Sequence, residues 1–393
     1  TKALSNIRIL DLSRVLAGPW ATQMLGDLGA EVIKIEQPGK GDDTRAWGPP
    51  WHGEGDEALS AYYLSCNRNK QSVAIDITTV AGQDVIRALA AQSDVLVENF
   101  KLGGLAKYGL DYESLKGANP RLIYCSVTGF GQDGPRAALP GYDFMIQGMS
   151  GMMSVTGDPA TGPQKSGVAY ADVMTGLHAA IAVLAALNQR HATGRGQYID
   201  IAMFDVGVST LANQALNYLV SGQPPVLMGN AHMNVVPYQA FATLDGHLIL
   251  AVGNDAQFAR FGALIGKADW GDDPLFATNS ARIANRTALI PDIAYHMATR
   301  TTADWVAALT DAGIPHGPIN RIDQALADPQ AIFRSLVTDA GGRPGIASPL
   351  RLSDSPPDAG SAPPILGADT KAVLKRLLGL DDDQIAAVSG HGL

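Results

Sequence analysis

Asp172 is the residue whose type and surroundings most directly suggest covalent chemistry. It lies between Gly167 and Gly176, just ahead of a long Ala-rich stretch that predicts a helix. A helix N-terminus favours the ionised form of a carboxylate, and the small residues around it leave room for a substrate carbonyl. An ionised carboxylate placed in this way can act as a nucleophile. The alternative is that Asp172 only caps the helix, which is the common role of an aspartate at such a position.

The elements that must position Asp172 follow the pattern of an α/β protein. Residues 7–12 predict a strand, residues 20–28 a helix and residues 31–36 a second strand. Pro19 opens the helix and Gly29 ends it, as is usual for these two residue types. This order is typical of the start of a doubly wound, Rossmann-like α/β domain. The alternation continues with strands at 72–76, 94–98, 121–127 and 197–201 and helices at 79–91, 172–191 and 203–220.

Two domains are predicted from the length and from a change of pattern near residue 221. A linker marked by Pro and Gly at 221–237 leads into a hairpin with an Asp245-Gly246 turn. Helical segments follow at 255–265, 279–299 and 303–312. We therefore expect a large α/β domain formed by residues 1–224 and 321–393, and a small α+β domain formed by residues 225–320.

Composition excludes several classes of function. The chain has 393 residues, 46% of them hydrophobic, and a net charge of −9 without a basic cluster. That balance argues against nucleic acid or an anionic membrane as the main partner. The two cysteines, Cys66 and Cys125, are not in a CxxC pattern, so we expect a reducing, cytoplasmic compartment. The histidines show no metal-ligand spacing, so no metal is expected.

One nucleotide-binding signal is present but incomplete. Residues 129–134 match GxGxxG after a predicted strand, yet Pro135 and more Gly and Pro follow instead of a helix. A pyrophosphate needs the N-terminus of that helix, so the match is interpreted as accidental. The sequence contains no Walker A, HExxH or GxSxG motif.

Several segments, in order along the whole chain, resemble the class III CoA-transferase family, which includes formyl-CoA transferase and carnitine CoA-transferase. The matching segments are 15–19, 29–36, 41–45, 67–70, 94–100, 129–135, 141–143, Asp172, 193–197 and 313–318. Within the family, the residues at 41–50, 67–70, 236–241 and 317–320 are most similar to the succinate/glutarate, or dicarboxylate, CoA-transferases. The resemblance also implies an interlocked homodimer, in which each chain forms a ring threaded through the other.

The resemblance assigns roles in acyl transfer to particular residues. Asp172 is similar to the family's catalytic aspartate, which forms a mixed anhydride and then an aspartyl-CoA thioester. The backbone amides of Leu16 and Ala17 are the expected donors to the oxyanion. In formyl-CoA transferase the position of Leu16 carries Gln, so any role here falls to the backbone. For CoA itself, a substrate rather than a bound cofactor, Arg14, Lys34 and Lys107 are candidate phosphate contacts, and the alternative for each is an ordinary solvated charge. Asn99 and Phe100 end a predicted strand, where open α/β sheets bind ligands, although Phe100 could instead belong to the core. Tyr142 is a further expected contact.

A dicarboxylate acceptor also needs a cation for its distal carboxylate, ideally a guanidinium. Arg68 is the first choice and Arg282 the second, with His232 and Tyr238 lining the same pocket. The alternative for both arginines is an ordinary salt bridge.

Two other functions remain open at this point. An acyl-CoA racemase of the same superfamily needs two bases across the α-carbon, and racemases resemble this chain with a His-Asp pair where it has Tyr142-Asp143. A tyrosine phenol is a poor general base near neutral pH, which favours CoA transfer. The second alternative is a non-catalytic CoA-binding dimer, against which the intact Asp172 argues.

Overall fold

The structure, a computed structural model, describes residues 1–357 and 360–389, so the last residues of the predicted large domain lie outside it. Within these residues the strands are β1 (Arg8–Asp11), β2 (Glu31–Glu36), β3 (Trp51–His52), β4 (Leu59–Ser60), β5 (Lys70–Ala74), β6 (Val95–Glu98), β7 (Ile123–Thr128), β8 (Gly157–Asp158), β9 (Gly162–Pro163), β10 (Tyr198–Ala202), β11 (Tyr238–Ala242), β12 (His247–Ala251), β13 (His316–Pro318), β14 (Val337–Ala340) and β15 (Arg343–Ile346). The α-helices are α1 (Ala17–Asp27), α2 (Ala61–Cys66), α3 (Val80–Ala91), α4 (Tyr112–Leu115), α5 (Asp143–Met149), α6 (Tyr170–Thr193), α7 (Met203–Ser209), α8 (Asn213–Ser221), α9 (Asp255–Leu264), α10 (Asn279–Ala284), α11 (Arg286–Met297), α12 (Thr302–Asp311), α13 (Ile322–Leu326), α14 (Pro329–Phe333), α15 (Thr370–Leu378) and α16 (Asp382–Ser389).

The central sheet has six parallel strands in the order β10-β7-β6-β1-β2-β5. Renumbered along the chain, this is the doubly wound order 3-2-1-4-5-6. The order reverses between β1 and β6, so the loops that follow these two strands flank a crevice. Ligands of open α/β sheets bind in that crevice, which makes the loops after Asp11 and Glu98 the place to look for a site.

Helices cover both faces of the sheet, and each face has its own apolar core. On one face α3, α15 and α16 bury Ile86, Leu89 and Val373 against the strands. On the other face α1 and α6 bury a second set that includes Leu25 and Val183. The strands are buried on both sides, which explains their nearly continuous apolar sequences.

Helix α6 is 24 residues long and begins close to the crevice. By length and composition it could cross a membrane, but 44% of its apolar 18-residue stretch is already buried inside the protein. The core helix of a globular protein passes the same test, so this is weak evidence for a membrane span. Gly194, with a left-handed φ of 71°, ends the helix.

The chain divides into two compact units. The first comprises Thr1–Met152, Ser166–Leu216 and Pro329–Leu393, and the second Met153–Lys165 and Asn217–Asp328. The second unit contains the antiparallel sheet β11-β12-β13 and a core formed with α9, α11 and α12. Its first segment, Met153–Lys165, carries the short β8–β9 hairpin, which no sequence pattern indicated.

Several predicted elements are interrupted or shifted in the structure. The predicted helix at 203–220 is two helices, because Ala212 between them has a φ of 48°. The predicted helix at 279–299 breaks at Asn285. The break at Ala212 lies in a largely apolar stretch, whereas the polar residues Asn285, Arg286 and Thr287 interrupt the apolar spacing at the second break.

Candidate active site

Asp172 is the third residue of α6 and lies in its first turn. The residue in the N-cap position is Ala169, and no side chain caps the helix. The alternative that Asp172 is only an N-cap is therefore wrong. Its side chain is partly buried, and its main-chain N–H donates to Asp143 Oδ1 at 3.2 Å.

The environment of Asp172 favours its protonated form. Burial and the neighbouring Asp143 raise the pKa of Asp172 from 3.8 to about 7. The expectation that the helix N-terminus keeps this carboxyl ionised is thus incomplete, because desolvation and a like charge outweigh the helix dipole. A carboxyl group that titrates near neutral pH in a cleft is a candidate for catalysis.

Gly176 lies one turn further along α6 and allows this helix to approach α1. A Cβ at Gly176 would lie 2.7 Å from the main-chain oxygen of Ala17 and 3.1 Å from Trp20 Cβ. A larger residue would therefore force the two helices apart. The close contact sets the first turn of α6, with Asp172, beside the first turn of α1.

The loop between β1 and α1 is fixed by side chains of three other segments. Three consecutive N–H groups donate to them: Ser13 to Asp11 at 2.9 Å, Arg14 to Asn99 at 2.9 Å, and Val15 to both carboxylate oxygens of Asp42 at 3.2 and 3.3 Å. In the part of the chain that the structure describes, the next two N–H groups, of Leu16 and Ala17, have no hydrogen-bond partner. They belong to the N-terminus of α1, whose amides carry partial positive charge.

Leu16 and Ala17, whose amides are unpaired, and Asp172 line one cavity of about 460 Å³. The predicted site residues in its wall are Arg14, Leu16, Ala17, Asn99, Phe100, Tyr142 and Asp172. Its wall also includes Gly129 and Gly141, where a Cβ at Gly129 would lie 2.5 Å from Gly141 Cα. The GxGxxG segment therefore shapes this cavity by close loop packing.

A second cavity, of about 380 Å³, shares Arg14, Phe100 and Lys101 with the first. Lys107 lines this second cavity, together with apolar residues of β2 and of the segment after β5. The guanidinium of Arg14 lies 5.5 Å from the centre of the Phe100 ring and 3.1 Å from Asp43. A long ligand that carries phosphates could extend across both cavities past Phe100.

Lys34 does not reach either cavity as an exposed cation. Its side chain is fully buried, and its ammonium donates to Ser13 O and Asp42 Oδ2 at 2.9 Å each. Asp42 and Asp11 raise its pKa despite the burial, so it stays charged. This geometry corrects the expectation of a phosphate contact, because the ammonium is held inside the loop scaffold.

The two arginines predicted for the acceptor have structural partners. Arg68 donates to both carboxylate oxygens of Asp27 and to Ile346 O, and it does not line the cavity of Asp172. Arg282, in the second unit, is completely buried, where it donates to Val236 O and pairs with Asp255 at 2.7 Å. These contacts account for both guanidinium groups, so the substrate role finds no support in this geometry.

His232 and Tyr238 lie together in the second unit. Their ring centres are 5.2 Å apart, and Tyr238 is 41% exposed. Arg286 donates to His232 O at 2.8 Å, which fixes this segment. Their predicted contact with a substrate stays a prediction.

Three residues near Asp172 were missed as site residues. Asp143 begins α5 and raises the pKa of Asp172, whereas the Gly141-Tyr142-Asp143 motif by itself bears only on the choice between racemase and transferase. Asp42 holds Val15, and only the family motif at 41–45 pointed to it. Tyr62 packs edge-on against Trp47, with ring centres 5.1 Å apart, and burial together with Asp172 raises its pKa. No local sequence signal marks Tyr62.

The described residues contain no cluster of three or more His, Cys, Asp or Glu side chains that could hold a metal ion. The arrangement at the cavity instead combines a carboxyl group, two residues with unpaired amides and a nearby cation. These groups suit attack on a carbonyl carbon and stabilisation of the oxyanion that forms.

Comparison with known proteins agrees with this chemistry. A family profile described as CoA-transferase family III matches residues 4–370. A succinate–glutarate CoA-transferase of Agrobacterium fabrum is 48% identical over 381 residues, which are 95% of each chain. The human succinyl-CoA:glutarate CoA-transferase is 41% identical over 397 residues, covering 100% of this chain and 90% of the human protein. A crystal structure of a CAIB/BAIF family protein from Brucella suis has a TM-score of 0.87 at 49% identity and covers 96% of this chain and 99% of its own.

Proposed function

This chain belongs to CoA-transferase family III, and on that premise we propose that it moves CoA from a succinyl-CoA-like donor to a dicarboxylic acid such as glutarate. The similar proteins from Agrobacterium fabrum and human carry names of that activity. The observation that carries the proposal is the placement of the Asp172 carboxyl in one cavity with the unpaired amides of Leu16 and Ala17.

The transfer begins with the ionised Asp172. One carboxylate oxygen attacks the thioester carbonyl of the donor, the C–S bond breaks, and CoA leaves as a thiolate with a mixed anhydride left on Asp172. The thiolate then attacks the aspartyl carbonyl, which releases the donor acid and forms an aspartyl-CoA thioester. The acceptor carboxylate repeats the sequence in reverse, and the new acyl-CoA leaves with Asp172 regenerated.

Each tetrahedral intermediate in this sequence carries an oxyanion. The N–H groups of Leu16 and Ala17 are the proposed donors, since no other group of the described chain uses them. Fixed amides cost no reorganisation at the moment of reaction, and loss of one such donor typically lowers kcat about 10²- to 10³-fold.

CoA is proposed to lie along the two cavities that meet at Phe100. The thioester end would reach Asp172, while the phosphates would meet Arg14 and Lys107 in and beside the second cavity. Asn99 supports this placement indirectly, because its side chain both accepts from and donates to the main chain of Arg14.

The distal carboxylate of the acceptor needs a cation. Arg14 and Lys101 are the cationic side chains of the described chain that line the cavity of Asp172. Arg68 and Arg282 keep this role only as predictions, since each would first have to leave its carboxylate partner. His232 and Tyr238 are likewise proposed contacts from the second unit.

An interlocked homodimer in the cytoplasm is also proposed. Very exposed apolar side chains support a subunit interface, among them Phe333 at 85%, Val220 at 86% and Ile322 at 80%. Cys66 and Cys125 are both buried and unpaired, which suits a reducing compartment. Sedimentation equilibrium of the intact protein tests the dimer, and a monomer at micromolar concentration would contradict it.

The deciding experiment is incubation with succinyl-CoA and a panel of monocarboxylic and dicarboxylic acids, followed by mass spectrometry. Transfer predicts new acyl-CoA products, a covalent adduct on Asp172, and loss of both in Asp172→Ala. Exchange at the wild-type rate in Asp172→Ala would overturn the mechanism.

A racemase is the second candidate, because a carboxyl with a pKa of about 7 suits a general base. Racemisation predicts solvent deuterium at the α-carbon of a 2-methylacyl-CoA without any exchange of acyl groups. A non-catalytic CoA-binding dimer would show neither exchange nor deuterium uptake.

A further inference from the structure

Val15 has a backbone conformation that its side chain opposes. Its φ of 71° lies in the left-handed region, which β-branched residues rarely adopt. Such a conformation persists only where surrounding contacts hold it, and it is often found at functional sites. Val15 directly precedes the unpaired amides of Leu16 and Ala17.

The conformation of Val15 decides where the Leu16 N–H points. That N–H lies in the planar peptide group that joins Val15 to Leu16. Rotation about the two backbone angles of Val15 turns this plane as a rigid body. If Val15 relaxed to a negative φ, the Leu16 amide would turn away from its present direction in the cavity wall.

Asp42 holds the N–H of Val15, while the Cys66 thiol donates to Val15 O at 3.5 Å. Both carboxylate oxygens of Asp42 accept the Val15 N–H, and Oδ1 also accepts from Thr44 N at 3.0 Å and Thr44 Oγ1 at 2.8 Å. The ammonium of Lys34 joins Asp42 Oδ2 to Ser13 O, on the other side of the loop. The Asp42 and Lys34 side chains are completely buried, so water does not compete for these contacts.

We propose that Asp42, supported by Lys34, is a positioning residue for the transfer reaction: it keeps Val15 left-handed and thereby aims the amides of Leu16 and Ala17 at the reacting carbonyl. The proposal rests on the function proposed above, in which these amides stabilise the oxyanion. Residue 42 is part of the wall of the second cavity, but its carboxylate is completely buried and accepts from Val15. It acts through the backbone, so its loss should lower kcat and leave the binding of acyl-CoA nearly unchanged.

The test uses the intact protein and compares substitutions at positions 42 and 15. Asp42→Asn removes the charge that holds Val15 and should lower kcat about ten- to a hundredfold, as expected when reacting groups shift by about 1 Å. KM for succinyl-CoA should change less than threefold. Glycine adopts a positive φ without strain. In a Val15→Gly background, the factor by which Asp42→Asn lowers kcat should therefore be at least five times smaller than in the wild-type background. In a Val15→Ala background the full loss should persist, because alanine keeps the Cβ.

Asp94→Asn is the matched control. Asp94 also accepts a main-chain N–H, from Arg8 at 2.8 Å, and pairs with an arginine, Arg190, at 2.8 Å. It lies at the opposite end of the sheet, before β6, so its loss should reduce stability without a change in kcat. A kcat that falls equally in the Asp42 and Asp94 variants would assign Asp42 a merely structural role.

Three further outcomes would also overturn the proposal. They are a wild-type kcat in Asp42→Asn, an equal loss of kcat with and without the Val15→Gly substitution, and a rise in KM without a fall in kcat. If Asp42→Asn does not fold, Thr44→Val replaces it, because this nearly isosteric change removes one hydrogen bond to Asp42 and leaves all charges paired. Thr44→Val should lower kcat by a smaller factor, and the Val15→Gly substitution should again reduce that factor. Failure of the proposed function is distinct, because wild-type protein would then exchange no acyl groups at all.

Discussion

Replacing Asp172 with asparagine should make the protein more stable while it abolishes transfer. Burial and Asp143 raise the pKa of Asp172 from 3.8 to about 7, so the folded state prefers the protonated carboxyl. Above pH 7 the carboxylate is ionised in both folded and unfolded protein, and the folded state then carries the full cost of the buried charge. Asparagine has nearly the same shape and is neutral at every pH, so it avoids that cost.

The size of the effect follows from the displacement of the pKa. One pKa unit corresponds to about 1.4 kcal/mol, so a change from 3.8 to about 7 sets an upper bound of about 4 kcal/mol at pH 8. Because the carboxyl group is only partly buried, solvent screening should reduce the observed gain to about 2 kcal/mol. The difference between variant and wild type grows as pH rises from 3.8 to 7, and at pH 5 it should be less than half of its value at pH 8.

Urea unfolding at pH 5, 6, 7 and 8, followed by tryptophan fluorescence, measures this difference as a shift in midpoint at constant slope. Asp205→Asn is the control, since Asp205 is an exposed aspartate in the first turn of α7. It should change the free energy of unfolding by less than about 0.5 kcal/mol at every pH. An Asp172→Asn protein that is no more stable than wild type at pH 8, or whose gain is the same at pH 5, would refute the reasoning.

Three further predictions concern rate, packing and CoA affinity. As Asp172 ionises, kcat/KM should increase with pH, with the midpoint of the increase near pH 7. Asp143→Asn should move that midpoint to lower pH, because a like charge is removed. Gly176→Ala should lower kcat more than tenfold and reduce the free energy of unfolding by about 1–3 kcal/mol, because its Cβ would lie 2.7 Å from the Ala17 oxygen. Gly117→Ala is the control in the same kinetic and unfolding assays, because its Cβ would meet nothing within 4 Å. Lys107→Ala should raise KM for acyl-CoA several-fold at low salt and less at high salt, with kcat unchanged; an effect on kcat alone would contradict a phosphate contact.

The fold was largely predictable because its signals are local. Strands buried on both faces are apolar throughout, and glycine or proline marks the ends of the neighbouring helix. The break at Ala212 was not predictable in this way, because it lies in a largely apolar stretch where tertiary packing rather than local sequence decides where the helix stops. The break at Asn285 does have a local signal, since Asn285, Arg286 and Thr287 interrupt the apolar spacing.

The sequence indicates candidate site residues one at a time, but not the properties that depend on their neighbours in the fold. The small residues around Asp172 and its place before a helix indicated only a possible nucleophile, and the family resemblance made it the expected one; its catalytic role stays a prediction. Its raised pKa could not be inferred, because the like charge comes from Asp143, 29 positions away, and burial is a property of the whole fold. The prediction that Lys34 contacts a phosphate is wrong for the same reason. A lysine in a strand can point to a ligand or to a buried carboxylate, and only the structure places Asp42 beside it.

Two of the segments that carry the family resemblance, 41–45 and 67–70, supply ion pairs and hydrogen bonds that hold the scaffold. Asp42 fixes Val15, Arg45 pairs with Glu36, Arg68 with Asp27, and Lys70 with Asp11. Asp42 and the Lys70–Asp11 pair contact the loop that carries the unpaired amides or its ends, so we expect them to affect the reaction itself and not the choice of acid. A substitution among them should therefore lower transfer to every acceptor by a similar factor. A residue that determines the acid must instead change the ratio of kcat/KM between two acids. Measuring glutarate against a monocarboxylic acid in the same variants separates the two kinds of residue, and it is the cations lining the cavity of Asp172 that we expect to change that ratio.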